Sequence, residues 1–345
     1  MSVGVTAPAT WPGADQLEAQ TVALGELSSP PDGVRVVPPL VHVPGRGPWA
    51  SPLARAAALL SGMHSEAGPH GWRLADRPGR DLERARSALH EELDAWAVAA
   101  HGWTGPVCVT VPGPWTLAAT LYLARGDRVL SDRGAVRDLT EALVDGTTAL
   151  LRSVLSGVPG AEPVVVLREP RLHDVLRGAV PTFSGHGRLR SVRTEDATSA
   201  LRGAVEQLRS AGAHAVVLQV GDRYETDAVT VLASASPDAL GVPVDRLGSS
   251  RWEQLAALVE AGTALWLGWP ASDGGEPVDS RALAESVAQP WRAVGLPAGR
   301  LADVVVHCSS RVATGGPGAS LAAARADCAR AVEAAARLAE IADGG

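Results

Sequence analysis

The sequence predicts a (β/α)8 barrel, an α/β fold in a single domain over residues 1–345 with elaborations at the N-terminus and in the loops, and three observations carry this. Over Val107 to Thr120 (VCVTVPGPWTLAAT), Val107, Val109 and Val111 alternate with Cys108 and Thr110 as a strand would, and Pro112-Gly113-Pro114 then ends the ladder because proline has no N–H. The same unit, a short apolar run, an abrupt break and a longer segment of 3.6-residue period, returns at Val164 to Pro170, Ala215 to Gly221, Ala264 to Pro270 and Val304 to Ser310. Repeated strand-loop-helix units build a parallel sheet, and 345 residues suffice to close one into a barrel.

In chain order, Val3 to Trp11 reads as a first strand, closed by Pro12-Gly13, with Asp15 capping a helix that runs to about Leu27. A second strand is expected over Val34 to Val43, then a PGRGP loop and a helix beginning at Leu53 to Leu60. Gly71 to Gly79 reads as a loop. On the helix Asp81 to Ala99, Leu82, Ala85, Leu89, Leu93 and Trp96 form one apolar stripe while Arg84, Glu91 and Asp94 look outward. Past the third strand, Val136, Leu139, Leu143, Leu150 and Val154 mark a long amphipathic helix with Asp132 as its cap and Gly157 as its stop. Strand four is Val164 to Arg168; a loop over Pro181 to Arg188 precedes a helix from about Glu195 to Ser210. Strands five to eight fall at His214 to Val220, Leu240 to Asp245, Ala264 to Trp269 and Val304 to Cys308. Leu321, Ala324, Cys328, Val332 and Ala335 put Cys328 on the buried stripe of the last helix.

Composition excludes several functions. Thirty-one basic against 38 acidic residues give a net charge of −7 with no large arginine cluster, which argues against nucleic acid. No stretch reads as a membrane span or signal peptide, so a soluble cytoplasmic protein is expected. All 31 basic residues are Arg, so the lysine of Schiff-base, pyridoxal and P-loop chemistry is excluded. Cys108, Cys308 and Cys328 are too widely spaced for a disulfide framework or a CxxC metal pair.

Parallel barrels place their sites where the strands break. Here those positions hold Trp11, Gly113 to Thr116, Arg168, Glu169, Leu218 to Val220, Asp245, Trp269 and Cys308. Glu169 reads as a catalytic carboxylate or an arginine partner, and Cys308 as a metal ligand, a nucleophile or an ordinary buried thiol. Asp245 is a ligand or a helix cap. His307, next to Cys308, is expected to face outward under a helix because successive strand residues alternate. His186 in the SGHGR loop reads as a substrate contact or a solvated side chain. Trp11, Trp115 and Trp269 are candidates to line a pocket. The glycine-rich RVATGGPGAS at Arg311 to Ser320 is a phosphate cradle or a plain loop.

These segments also carry a resemblance. GPWTLAA at 113–119, VVVLREPRL at 164–172, PTFSGHGRLRSV at 181–192, EAGTALWLG at 260–268 and VVVHCSS at 304–310 resemble the C-terminal, catalytic barrel of cobalamin-independent methionine synthase, closest to short single-barrel members, over nearly the whole chain. The resemblance implies a barrel of the uroporphyrinogen decarboxylase and methionine synthase superfamily, and methyl transfer to a zinc-bound homocysteine thiolate. It implies catalytic roles for Glu169 and Cys308, substrate contacts from Trp11, Gly113, Trp115, Thr116, Arg168, His186 and Trp269, and zinc ligands at Cys308 and Asp245. The family reaction takes its methyl group from methyltetrahydrofolate or another carrier; with only one barrel, and no second barrel of the kind involved in folate binding, a protein-bound corrinoid or another methyl-carrier protein is expected instead. The family's His-x-Cys on strand five falls on Leu218 and Val220, which cannot bind zinc, and the Asp that grips the homocysteine amino group falls on Arg168. A non-catalytic barrel binding a small anion or a protein partner is the alternative expectation, and a phosphate-binding enzyme built on Arg168, Glu169 and the glycine loop is a third.

Overall fold

The structure, a computed structural model, describes residues 2–245, 247–271, 279–309 and 320–344. Its strands are β1 (Val3–Val5), β2 (Val34–Val36), β3 (His64–Gly68), β4 (Gly71–Ala75), β5 (Gly105–Pro112), β6 (Ala161–Arg168), β7 (Ala215–Gln219), β8 (Ala239–Pro243), β9 (Ala264–Trp269) and β10 (Val304–Cys308). Eight of them form one parallel sheet in the order β2-β1-β10-β9-β8-β7-β6-β5. Just past β2, Leu40 N–H donates to the Cys108 carbonyl at 2.8 Å and Cys108 N–H to the Pro38 carbonyl at 2.8 Å, which joins the two edges into a (β/α)8 barrel.

Around the barrel run α1 (Gln16–Gly25), α2 (Pro52–Leu59), α3 (Arg80–Ala99), α4 (Pro114–Ala118), α5 (Arg133–Gly157), α6 (Leu172–Leu176), α7 (Thr194–Ser210), α8 (Thr226–Ser234), α9 (Ser249–Glu260), α10 (Ser280–Ala293) and α11 (Leu321–Gly344). The expected caps hold: Asp15 accepts from Glu18 N–H at 2.9 Å and Asp132 from Ala135 N–H at 3.0 Å. Among the described residues no helix is long and apolar enough to cross a membrane.

Two strands are shorter than the sequence suggests. Pro8, Pro38 and Pro39 interrupt them, and beyond the prolines pairing survives as the single bridges of Thr10 with His42 and Pro39 with Cys108. Part of the expected loop at 71–79 is instead strand β4 of the antiparallel hairpin β3–β4, whose register pairs Glu66 with Arg73, an ion pair with Arg73 Nε 2.8 Å from the carboxylate. β3 (HSEAG) lacks apolar alternation, and in β4 only Trp72 and Leu74 alternate with Gly71 and Arg73, too short a run to stand out.

Strand alternation divides the apolar residues into two layers. Val37, Cys108, Val164, Val166, Val217, Ala239, Trp266 and Val305 fill the lumen. Their neighbours, among them Val109, Val165, Leu167, Val216, Leu218, Leu240, Leu267 and Val306, form the larger outer core under the helices.

A buried charged group sits behind the closing edge. Glu92 of α3 accepts from Arg55 Nε of α2 at 2.6 Å and contacts His42 Nδ1 at 2.6 Å, while Arg55 Nη1 donates to the Thr110 carbonyl of β5 at 2.9 Å. Burial alone would raise the Glu92 carboxyl, but the charges and hydrogen bonds of Arg55 and His42 hold it below its ordinary value. Removing one member of such a group strands the others without a counter-charge. Glu92→Leu is therefore expected to destabilise the fold by about 3–5 kcal/mol in urea unfolding, whereas Asp94→Ala, on the exposed face of the same helix, should change it by about 0.5 kcal/mol or less.

Candidate functional site

At the C-terminal ends of the strands the lumen opens into a cavity of about 70 Å³ lined by Thr6, Thr10, Cys108, Thr110, Arg168, Gln219, Trp266, His307 and, at its border, Cys308. Arg168 and Gln219 are register partners on β6 and β7, so their side chains leave adjacent strands on the same face. Thr110 stands on β5, and its hydroxyl lies 3.5 Å from the Cys108 thiol. Burial pushes that thiol up to about 11, which leaves Cys108 protonated and unreactive at neutral pH.

Gln219 and His307 meet across the two strands between them. Gln219 Nε2 lies 3.2 Å from His307 Nε2, and His307 Nδ1 lies 3.4 Å from the Cys308 carbonyl. Gly241 on β8 and Gly268 on β9 make this meeting sterically available. A Cβ at Gly241 would fall 2.6 Å from Gln219 Cγ, and one at Gly268 would fall 2.9 Å from His307 Cε1. A carbonyl can only accept, so His307 carries its proton on Nδ1 and its Nε2 accepts from the Gln219 amide. Burial, with the positive charge of Arg168 in support, outweighs the Cys308 carbonyl and Asp222 and pushes the imidazole down to about 4. His307 is therefore neutral at physiological pH.

Arg168 donates from Nη2 to Asp222 at 3.2 Å, an aspartate that is half exposed outside the cavity. Its Nε is buried and has no hydrogen-bond partner. Among the described lining residues Arg168 is the one charged group, so the cavity presents a guanidinium, a neutral imidazole, an amide and hydroxyls.

Several sequence expectations are corrected by strand parity and by local bonding. His307 faces the lumen, not a helix. Cys308 borders the cavity as expected, but like its register partner Trp269 of β9 it belongs to the outer core; Cys308 packs there with Cys328 of α11, and Trp269 Nε1 donates to Ser286 of α10 at 3.0 Å. Burial raises the Cys308 thiol to about 11 and the Cys328 thiol to about 12. Trp11 is fully buried with its indole N–H on the Pro8 carbonyl at 2.6 Å, and Trp115 is buried with its indole N–H on the Ala197 carbonyl at 3.2 Å. His186 and Asp245 are exposed, His186 on its loop and Asp245 beyond β8.

Glu169 has a structural role that the sequence did not suggest. It is buried, and it accepts from Trp115 N–H at 2.9 Å, Thr116 N–H at 2.6 Å and the Thr116 hydroxyl at 2.7 Å, thereby holding the first turn of α4 against β6. Gly113 admits it, since a Cβ there would lie 2.4 Å from Glu169 Oε1. Burial pushes the carboxyl up to about 7 against the pull of its three donors. Thus Gly113, Thr116 and Glu169 position α4 and do not line the cavity.

The described residues at the mouth do not offer a zinc ligand set. Among the described residues no group of three or more His, Cys, Asp or Glu could hold a metal. At the mouth, His307 shares the cavity with a guanidinium and a protonated thiol, whereas Leu218 lies in the outer core. Of the glycine-rich segment, residues 311–319 lie outside the described residues; Ser320 caps α11 by accepting from Ala323 N–H at 3.1 Å.

Arg168 was expected at the mouth and is there. Gln219, Thr110, Trp266 and the inward turn of His307 were missed. Their usable signal was a polar side chain at the C-terminal end of an otherwise apolar strand, as in VVVLR, AVVLQ and VVVHC.

No protein-family model and no curated protein matches the chain. Among solved structures the fold is similar to a B12-independent methionine synthase from Shewanella sp. W3-18-1 in complex with selenomethionine, at 10% identity over 99% of this chain and 98% of that chain, with a TM-score of 0.58. Looser similarities include β-methylaspartase from Clostridium tetanomorphum (11% identity, 96% of this chain and 59% of that chain, TM-score 0.44) and tryptophan synthase from Mycobacterium tuberculosis (15% identity, 97% and 91%, TM-score 0.39). At these identities the likeness is one of fold.

Two measurements check the assigned roles. Glu169→Gln turns an amide nitrogen toward a backbone N–H and should cost about 1–3 kcal/mol of stability in urea unfolding, as a positioning residue requires. For His307 the folded value near 4 lies below the unfolded value near 6.5, so the unfolded chain binds more protons and its contribution to stability is lost as pH falls from about 6.5 to about 4. Glu169, raised to about 7, acts with the opposite sign between about 4.5 and 7. The difference between the wild type and His307→Asn isolates the histidine: the wild type should lose up to about 3 kcal/mol more than the variant over that interval.

Proposed function

We propose that this chain is a methionine-synthase-like (β/α)8 barrel whose mouth binds a small carboxylate-bearing molecule on Arg168. Zinc-supported methyl transfer to homocysteine is not what this mouth is built for. The observation that supports the reading is the Arg168 guanidinium, which lines a cavity with no carboxylate among its described lining residues and whose Nε is buried without a hydrogen-bond partner. A guanidinium matches a carboxylate in charge and in the geometry of its donors.

Homocysteine fits this arrangement poorly. Its ammonium would enter beside Arg168 with no carboxylate among the described lining residues to receive it, and its thiol would find no set of metal ligands among the described residues. The methionine-synthase-like descent is supported by the ordered motifs from GPWT to VVVHC and by the barrel fold.

Metal content and anion binding test the proposal together. Protein purified without added metal should carry far less than one equivalent of zinc, and Cys308→Ala should leave that figure unchanged. Acetate should shift amide resonances of the mouth strands in the wild type, and Arg168→Gln should abolish the shift. A full equivalent of zinc lost on Cys308→Ala, or rescue of a methionine auxotroph by the gene, overturns the proposal.

A further inference from the structure

The mouth holds more information than the sign of its ligand's charge. Hydrogen-bond direction runs along a chain of fixed partners. The Cys308 carbonyl can only accept, so His307 Nδ1, 3.4 Å away, is the protonated nitrogen. His307 Nε2 must then accept, so the group that Gln219 turns toward it at 3.2 Å is its NH2. The amide oxygen of Gln219 is left as an acceptor with no hydrogen bond to any described residue. Gln219 and Arg168 are register partners, so this acceptor and the unpartnered Arg168 Nε stand on adjacent strands of one face. The cavity of about 70 Å³ has room for one molecule of about six heavy atoms.

We infer that the ligand is a short 2-hydroxy monocarboxylate, its carboxylate on Arg168 and its hydroxyl donating to the Gln219 amide oxygen. This rests on the anion-binding reading above and adds the second recognition element. A 2-oxo acid offers an acceptor where the site has an acceptor, and the two oxygens repel. A 2-amino acid brings an ammonium, which needs several acceptors and finds no carboxylate among the described lining residues. Inorganic phosphate satisfies the guanidinium but, as a dianion, brings charge that one arginine does not balance.

Isothermal titration of the full chain with glycolate, D- and L-lactate, pyruvate, alanine and inorganic phosphate reads this directly. Glycolate or one lactate enantiomer should bind about tenfold or more tightly than pyruvate, alanine and phosphate. Gln219→Leu, which keeps the side chain's bulk without the acceptor, should bring the hydroxy acid down to the affinity of pyruvate while carboxylate binding persists. Circular dichroism establishes that this variant folds; if it does not, Gln219→Met serves the same comparison. Pyruvate or alanine binding as tightly as the hydroxy acids overturns the hydroxyl assignment and leaves the anion site standing. Phosphate binding tightest overturns the assignment in the same way. No binding of any of these anions, acetate included, overturns the anion site itself.

Discussion

A ring of eight parallel strands has a single inner surface, and the two-residue period of each strand decides which side chains share it. Near the C-terminal ends that rule admits Thr110, Arg168, Gln219 and His307 and turns Leu167, Leu218 and Cys308 out under the helices. The neighbours Arg168 and Glu169, like His307 and Cys308, are thus assigned to different environments by alternation. The second members of these pairs become the scaffold, with Glu169 holding α4 and Cys308 packed against α11. A slip of one residue in any of these strands would exchange a lumen made of polar groups for one made of leucine and thiol, at the cost of burying a guanidinium in the outer core. Function and register are therefore fixed by the same forces.

The closing edge is where the ring is weakest, because prolines cut β1 and β2 to three residues each. Here Arg55, Glu92 and His42 substitute for missing ladder bonds. Their mutual attraction is largely offset by the loss of hydration, so the group contributes little net stability while it is complete and imposes a large penalty on any arrangement that breaks it. That asymmetry makes it a device for specifying geometry. Since Arg55 also donates to the Thr110 carbonyl, and the Thr110 side chain lines the mouth, the group fixes one wall of the cavity as well.

The barrel itself was legible because its signal is a repeat. A strand, an abrupt break and a helical segment recur from Val107, Val164 and Val304, and Asp15 and Asp132 cap the helices that sequence assigns to them. Facing was not legible. Strands buried on both sides read as unbroken apolar runs, so VVVLR and VVVHC carry no alternation from which to tell inner from outer. Tryptophans at strand ends look like pocket walls, yet Trp11, Trp115 and Trp269 each have the indole N–H committed to a carbonyl or a serine. Glu92 was hidden among His90, Glu91 and Asp94 on a helix whose polar residues otherwise face solvent, and only the partners that converge on it from α2 and the closing edge set it apart. Glu169 stood out in the sequence but its bonds to the first turn of α4 did not, because a carboxylate after a strand reads alike whatever donors it meets.

The costs carried at the mouth argue for a ligand. A buried guanidinium N–H without a partner costs about 1–3 kcal/mol, and glycines inside strands, here Gly241 and Gly268, each forfeit roughly another 0.5–1 kcal/mol. Against a total stability of about 5–15 kcal/mol these are considerable sums, and a packed leucine on each strand would avoid them. The glycines are not random losses, since both lie under the one contact, Gln219 with His307, that a side chain at either position would displace. Polar strain of this kind, gathered at the C-terminal end of a barrel and supported from behind by a buried ion pair, is what the proposed anion on Arg168 would relieve.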